Sequence, residues 1–378
     1  MKSTSAVALA GVYFIYFAIV GITLPFLPSV LRDSGMSASQ VGVLLALGPL
    51  VSLVVPQYWS RWADRTGRPE LALRAVTLGA PLAFAGLFVS HSLGSLALTF
   101  VAYAAFSTAV IPLLDTLTLT HAELGGARYA RLRLFGSLGF AIAAFLFGLT
   151  APHSRVGFVG TALALMIVNA ACAWVVPRSA ARPSSVASSP WGLLTDGPLR
   201  WVLAATTLHW IANSPFNVTF ALHVADIGFP AWVVGVTASL GVLAEMLMFA
   251  AYPKLEARLT ARVLLVAACA ISAIRWLLVS VIREPIWLTT LSLLHSFTFG
   301  AFYASAISLV VQRVPSHQRA AGQALFIAVT FGLGGLVGYA SAGLGYQVLG
   351  GALLFQMAAA TDAVAALLAR GVRTTAPR

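Results

Sequence analysis

The chain has 378 residues, of which 59% are hydrophobic and 9% are charged, and its mean hydropathy is +0.90. Soluble domains carry about 25% charged residues, so this composition excludes a soluble globular protein and predicts a multi-pass membrane protein. The formal net charge is +12. Because Lys and Arg gather at the ends of apolar segments, this basic balance is typical of membrane topology and argues against a nucleic-acid partner.

Apolar segments long enough to cross a bilayer as helices recur twelve times along the chain. They are predicted at 6–31, 39–62, 71–91, 94–121, 130–150, 157–177, 199–223, 231–252, 262–282, 286–311, 320–343 and 348–369. The segment 178–198 is rich in Ser, Pro and Arg and is interpreted as a linker. Weak echoes between the starts of helices 5 and 11, offset by 191 residues, suggest two parallel repeats. The predicted fold is therefore all-α and membrane-integral, with six-helix bundles at 1–177 and 199–378 and a solute site between them.

The distribution of positive charge predicts the topology. Nineteen of the 23 Lys and Arg residues lie at one set of helix ends, three lie at the other, and Arg275 lies inside a helix. Cytoplasmic loops carry the excess of Lys and Arg, so both termini and the linker are expected on the cytoplasmic side of a bacterial inner membrane.

Five ionisable residues lie inside predicted helices, where a charge at the bilayer centre costs about 2.5–3.5 kcal/mol on insertion scales. They are Asp115 in helix 4, Arg133 in helix 5, Glu245 in helix 8, Arg275 in helix 9 and His295 in helix 10. Such residues normally face a partner or a water-filled cavity, so we interpret them as the working site of a solute transporter. For Asp115 and Arg133 the alternative is an ion pair that only fixes helices 4 and 5. A conformational change that moves Arg275 relative to Glu245 would alter the proton affinity of Glu245.

Polar and aromatic residues of helices 1 and 7 extend this candidate site. One face of helix 7 carries His209, Asn213, Phe216 and Asn217. We expect Asn213, Asn217, Trp210 and, from helix 1, Tyr16 to bind the solute, with helix packing as the alternative. Asp362 in helix 12 is expected to pair at the membrane interface.

A charged motif joins helices 2 and 3, and its residues are Ala63-Asp64-Arg65-Thr66-Gly67-Arg68. It resembles the D-R-x-G-R signature of the major facilitator superfamily. Within that superfamily the whole chain is similar to the proton symporters around the lactose permease and to the phenylpropionate and nucleoside permease branches. Four further stretches carry the resemblance: 24–28 (LPFLP), 45–49 (LALGP), 131–137 (RLRLFGS) and 294–300 (LHSFTFG).

The resemblance implies roles for the embedded residues. Asp115 and Arg133 match, in helix and in spacing, an acidic residue and an arginine that contact sugar in the lactose permease, and Glu245, Arg275 and His295 match in helix and type. The motif residues Asp64, Arg65, Gly67 and Arg68 would act as a conformational latch. The permease's proton-carrying glutamate lies three residues after its histidine, and here that position is Thr298. The candidates for proton coupling are therefore Glu245, Asp115 and His295.

No catalytic constellation occurs in the sequence: P-loop, H-E-x-x-H, C-x-x-C and G-x-S-x-G patterns are missing, and Cys172 and Cys269 lack metal spacing. An enzyme, a cofactor or a metal is therefore not expected. The sequence predicts a secondary transporter, monomeric in the bilayer, that takes up a small organic solute with protons by alternating access. Aromatic carboxylates, nucleosides and sugars remain open as solutes, and a proton-coupled efflux antiporter or a non-transporting membrane solute sensor are the alternative functions.

Overall fold

The computed structural model describes residues 2–121, 126–150, 154–178 and 190–372, and these are almost entirely helical. Ten helical segments in this part of the chain are long and apolar enough to cross a membrane. The helix Gly197–Asp226 adds an eleventh, with 30 residues. The 50-residue segment Ala321–Arg370 bends at Gly350, whose φ of +74° ends one helix and starts the next. The described residues therefore form twelve spans, and the predicted all-α membrane architecture is confirmed.

The spans follow the predicted segments closely. The first six are α1 (Lys2–Asp33), α2 (Ala38–Thr66), α3 (Pro69–Phe88), α4 (Leu93–His121), α5 (Gly126–Thr150) and α6 (Arg155–Val175). The last six are α7 (Gly197–Asp226), α8 (Trp232–Glu256), α9 (Ala261–Val281), α10 (Pro285–Arg313), α11 (319–349) and α12 (351–370).

The predicted linker is only partly covered by the structure. Residues 179–189 lie outside the described part of the chain, and Pro190–Thr195 forms a 3₁₀ turn where we expected irregular chain. Asp196 then caps α7 by accepting the Leu199 N–H at 2.8 Å. The division of the chain into two bundles at 178–198 stays a prediction.

Three spans depart from regular α-helix near their middles. In α2 the helix breaks at Leu53 and Val54, directly before Pro56, which has no N–H to continue the ladder. Span α10 contains a π-helical turn at Ser296–Ala301, and α11 contains one at Ile327–Leu333. Such turns are frequent at functional sites because they release backbone groups from the regular pattern.

The side of the molecule that carries the turns after α1, α3, α5, α7, α9 and α11 is called the distal face here. At this face Arg32 at the end of α1 pairs with Asp226 at the end of α7 at 2.9 Å. Tyr346 of α11 donates its hydroxyl to Asp226 at 2.6 Å, and Gln347 accepts the Ser39 N–H of α2 at 3.1 Å. The Arg32–Asp226 and Ser39–Gln347 contacts join the first six spans to the last six, and Tyr346 joins α11 to α7.

Glycines bring the same helices into backbone contact toward the distal face. A Cβ on Gly42 of α2 would lie 2.6 Å from the Tyr339 carbonyl oxygen and 2.7 Å from the Gly343 Cα of α11. A Cβ on Gly235 of α8 would lie 2.4 Å from the Ala144 carbonyl oxygen of α5. Small residues therefore permit the close approach that closes this face.

We predict that Gly42→Val prevents closure of the distal face, because the new side chain meets backbone that cannot retreat. Access would be measured by alkylation of Ala221→Cys, introduced beneath the closed face in protein whose native cysteines are replaced by serine. Labelling should become faster by about tenfold, since the buried thiol becomes exposed for much of the time. Gly48→Val on the same helix is the control, because a Cβ at Gly48 has open space around it. Equal labelling in both variants contradicts the prediction.

Candidate solute site

The most deeply buried charge in the predicted site is Arg275 of α9, which is 1% exposed. Its Nη1 donates to the Thr298 hydroxyl at 2.8 Å and to the Nδ1 of His295 at 3.3 Å. Its guanidinium lies 4.6 Å from the ring centre of Phe216 and 4.7 Å from that of Trp276. Two aromatic faces and two neutral acceptors thus hold this cation, while its Nε finds no hydrogen-bond partner among the described residues.

His295 connects Arg275 to Glu245 of α8. Its Nδ1 accepts from Arg275 and lies 3.1 Å from the Thr298 hydroxyl, so its proton is on Nε2. That Nε2 lies 3.6 Å from a Glu245 carboxylate oxygen. The ring of His295 stacks on Phe299, which stacks in turn on Tyr303. One face of α10 therefore carries three stacked rings, one per helical turn, and the first of them is the imidazole of His295.

Asp115 and Arg133 lie in the first six spans, on α4 and α5. The Tyr13 hydroxyl of α1 donates to Asp115 at 2.5 Å. The Arg133 guanidinium of α5 lies 4.1 Å from the ring centre of Phe17 and 5.9 Å from that of Tyr13. Tyr13 and Phe17 are outside the set of solute-binding residues predicted from helix 1, although both belong with Tyr16 to an aromatic stretch of that helix.

Two expected pairings are not formed in the described residues. Asp115 and Arg133 make no ion pair within 4.0 Å, so the alternative of a purely structural strut loses its support. Glu245 and Arg275 are not paired either, because His295 lies between them. Span α8, which carries Glu245, packs against α5, which carries Arg133. Control of the proton affinity of Glu245 by Arg275 stays a prediction.

A small cavity of about 80 Å³ opens beside His295. Its walls are mostly apolar, with Phe140, Phe216 and Phe220 among them, and its polar members are Asn217, Thr237 and His295. The structure thus brings Asn217 and His295 of the predicted set to one cavity.

Tyr16, Trp210 and Asn213, which were also predicted to bind the solute, are not part of the lining of this cavity. The Tyr16 hydroxyl donates to the Ser107 carbonyl at 3.0 Å, which directs it into the first six spans. Trp210 packs edge-on against Phe331 at 4.6 Å. Asn213 is 1% exposed, and its Oδ1 has no partner among the described residues. The solute-binding role of these three residues stays a prediction.

The predicted latch spans the end of α2, with Asp64 and Arg65 in its last turn and Gly67 and Arg68 after it. Gly67 adopts φ +63° and caps the helix with its N–H, a conformation that glycine accommodates best. Arg68 lies 3.5 Å from Glu70, which is 1% exposed at the start of α3. Asp64 and Arg65 are exposed, and neither forms an ion pair within the described residues. A latch role for Asp64, Arg65, Gly67 and Arg68 therefore stays a prediction.

Asp362 is fully buried, so its expected position at the membrane interface was wrong. It lies 2.7 Å from His209 Nδ1 and accepts the Trp276 indole N–H at 2.8 Å. Cys269 completes a buried group of potential metal ligands, whose ligand atoms lie within 4.8 Å of one another. In this structure His209 and Asp362 hydrogen-bond each other, and the other ring nitrogen of His209 bonds to the Thr298 carbonyl oxygen.

The sequence and the fold are similar to those of known membrane transporters. A family model described as "MFS_1 like family" matches residues 6–357. The "Maltose permease" of Geobacillus stearothermophilus is 28% identical over 327 residues, 85% of this chain and 83% of that protein. The "Probable 3-phenylpropionic acid transporter" of Escherichia coli (strain K12) is 27% identical over 364 residues, 95% of each chain. The crystal structure of nucleoside transporter NupG has a similar fold, with a TM-score of 0.84 at 15% identity over 97% of this chain and 98% of that one.

We predict that Tyr13→Phe destabilises the protein by about 1–3 kcal/mol, because a partly buried carboxylate oxygen of Asp115 loses a donor. The measurement is thermal unfolding of the purified protein in detergent, and the melting temperature should fall. Tyr58→Phe is the matched control, since Tyr58 is 64% exposed. An unchanged melting temperature in Tyr13→Phe would show that Asp115 does not depend on this hydroxyl.

Proposed function

Because the chain belongs to the MFS_1 like family of the major facilitator superfamily, we propose a specific activity for it. The protein is a multi-pass membrane protein and a secondary transporter of a small-molecule solute, and it is not an enzyme. Within that class, the activity that suits its site best is uptake of an aromatic carboxylate together with protons. The first six and last six spans would rock about the central site in alternating access.

The observation that carries the choice of solute is a pair of guanidiniums without carboxylate partners. Arg133 lies in the first six spans and Arg275 in the last six, and neither has a carboxylate within 4.0 Å among the described residues. A solute carboxylate would supply that partner, and arginine binds carboxylates with two parallel hydrogen bonds. A desolvated charge that the protein leaves unpaired favours a ligand of opposite charge.

The aromatic faces around these cations favour a ring on the solute. Phe216 lies over Arg275, and Phe299 and Tyr303 continue the stacked face of α10. Aromatic rings pack preferentially in offset or edge-on contacts, and the rings of α10 can make such contacts with a ring of the solute. A sugar would instead need many hydrogen-bonding groups, and the cavity wall beside His295 is mainly apolar. The similarity to the phenylpropionic acid transporter supports the same choice, while the maltose permease keeps a sugar as the second candidate.

Proton coupling is assigned to Glu245, with Asp115 and His295 as the other candidates. Glu245 belongs to α8 of the last six spans, which packs against α5 of the first six, and α5 carries the cation Arg133. A Coulomb interaction falls with distance and with entry of water, so a movement of the two groups of spans changes the proton affinity of Glu245. Solute binding at Arg133 would alter the same field. This arrangement links proton, solute and conformation through one residue.

Membrane orientation follows from the positive charges. With both termini cytoplasmic in a bacterial inner membrane, the distal face would be periplasmic, and this conformation would be closed to the periplasm. The motif residues Asp64, Arg65, Gly67 and Arg68 would then form the latch on the cytoplasmic side. The transporter is proposed to act as a monomer, because one chain supplies both walls of the site.

We predict that Glu245→Gln abolishes accumulation of solute driven by a pH gradient but retains exchange of solute across the membrane. The amide cannot carry a proton, whereas it preserves the size of the side chain. Liposomes containing purified protein would be tested for gradient-driven uptake and for counterflow. Glu256→Gln, at the end of the same helix and bonded to Ser308, is the control.

Wild-type uptake that ignores the pH gradient would refute proton coupling. A Glu245→Gln protein that accumulates solute normally would transfer the assignment to Asp115 or His295. Gradient-driven expulsion would favour the efflux alternative, and binding without flux would favour the sensor.

We predict that Arg133→Lys and Arg275→Lys each weaken binding of an aromatic carboxylate by about tenfold or more, because lysine cannot form the paired bonds or stack as arginine does. Binding would be measured by titration calorimetry with 3-phenylpropionate and with its uncharged amide. Wild-type protein should discriminate strongly between the two, and the variants should not. Arg283→Lys at the distal face is the control. Tighter binding of a nucleoside or a disaccharide to wild type would replace the proposed solute class.

A further inference from the structure

A second polar layer lies directly behind Arg275, away from the cavity. It consists of four side chains that are 0% exposed: His209 of α7, Trp276 of α9, Thr298 of α10 and Asp362 of α12. Four helices thus contribute to one network inside the last six spans. Polar groups at this depth are costly unless every donor and acceptor is used.

The hydrogen bonds determine where the protons of this layer lie. His209 Nε2 is 2.9 Å from the Thr298 carbonyl oxygen, which can only accept, so Nε2 carries a proton. Nδ1 is 2.7 Å from Asp362 Oδ1, and a second proton must lie between these two atoms. The other carboxylate oxygen accepts from Trp276. The imidazole and the carboxylate together are then electrically neutral, and every one of these polar atoms has a partner.

The π-helical turn makes the Thr298 carbonyl available to His209. In a regular α-helix this carbonyl would accept from the N–H of Phe302, four residues on. Here the Phe302 N–H bonds instead to the carbonyls of Phe297 and Phe299. The freed carbonyl points to α7, and Thr298 becomes the junction between the two layers.

Asp362 reaches Arg275 by two routes. Along the first, Asp362 holds His209, His209 holds the backbone of Thr298, and the Thr298 hydroxyl accepts from Arg275. Along the second, Asp362 holds the indole of Trp276, whose ring lies 4.7 Å from the guanidinium. Both the acceptor and the aromatic face of Arg275 are therefore fixed by one carboxylate that does not touch the cavity.

We propose that Asp362 and His209 are positioning residues, which hold Arg275 in the orientation that binds the solute carboxylate. This inference rests on the proposed function, in which Arg275 is a solute-binding residue. The shared proton of the pair stays in place during transport, because its loss or gain would leave a net charge in a dry interior. Asp362 acts by geometry and not as a proton carrier.

The test compares two substitutions of Asp362 in liposome counterflow. In Asp362→Asn, the amide oxygen can still accept from Trp276, and the amide N–H can donate to the Nδ1 of a neutral His209, so all three bonds survive. In Asp362→Leu, the bonds to His209 and Trp276 are lost, while the branching of the side chain is kept. We expect KM to stay within about twofold of wild type in the asparagine variant and to rise about tenfold in the leucine variant, with kcat little changed.

Ser305→Ala is the control for a lost buried hydrogen bond in the same spans, since Ser305 is fully buried and bonded to Tyr252. It should leave KM unchanged. The proposal is overturned if Asp362→Leu keeps the wild-type KM. It is also overturned if Asp362→Asn is as impaired as Asp362→Leu, or loses gradient-driven accumulation, because either result would assign the role to charge or proton transfer.

A spectroscopic measurement separates this inference from the solute class. In protein labelled with 5-fluorotryptophan, the ¹⁹F resonance of Trp276 is identified by its loss in Trp276→Phe. Both Asp362→Leu and Arg275→Lys should shift this resonance, whereas Ser305→Ala should leave it unchanged. The double variant with Asp362→Leu and Arg275→Lys should differ little from Asp362→Leu alone. A full further shift would overturn the proposal. Wild-type protein that carries no aromatic carboxylate would refute the proposed function alone, since this readout needs no solute.

Discussion

Charged side chains at bilayer depth must find their partners within the protein, and this constraint organises the centre of the molecule. Arg275 is held by two aromatic faces, a hydroxyl and an imidazole, and Arg133 is held by the ring of Phe17. Neutral partners of this kind lower the cost of burial without cancelling the charge. The site therefore keeps positive charge available to a ligand, while the walls around it stay dry enough to strengthen that interaction.

The position of each partner depends on departures from ideal helix. The π-turn of α10 frees the Thr298 carbonyl, and the bend at Gly350 sets the start of α12, which carries Asp362 to the level of His209. Asp362 lies eight residues before the end of its helix, which corresponds to a depth of about 12 Å at 1.5 Å per residue. The irregular backbone segments thus position the groups that hydrogen-bond the buried charged side chains.

The span positions and the five embedded ionisable residues were predictable, because length, hydropathy and polar residues in apolar helices are local properties of the sequence. The partners of those residues were not. Arg133 turns to Phe17 partly because Gly136 leaves room for that ring, and a Cβ there would meet it at 2.7 Å. Asp362 was expected at the interface, because sequence distance to a helix end does not reveal which residue of α7 or α9 lies at the same depth. Such pairings depend on tertiary packing, which a single sequence does not encode in any local pattern.

The closed distal face is held by contacts that are individually weak. The pair Arg32–Asp226 has side chains that are 39% and 41% exposed, and such surface ion pairs contribute about 0–1 kcal/mol. The glycine contacts join backbones directly, so no side chain must change rotamer when they separate. A two-state population moves from 1:99 to 99:1 with about 5.5 kcal/mol of differential affinity. With closure this weak, the free-energy difference between the closed and open states is small enough for the binding of one small molecule to reverse it.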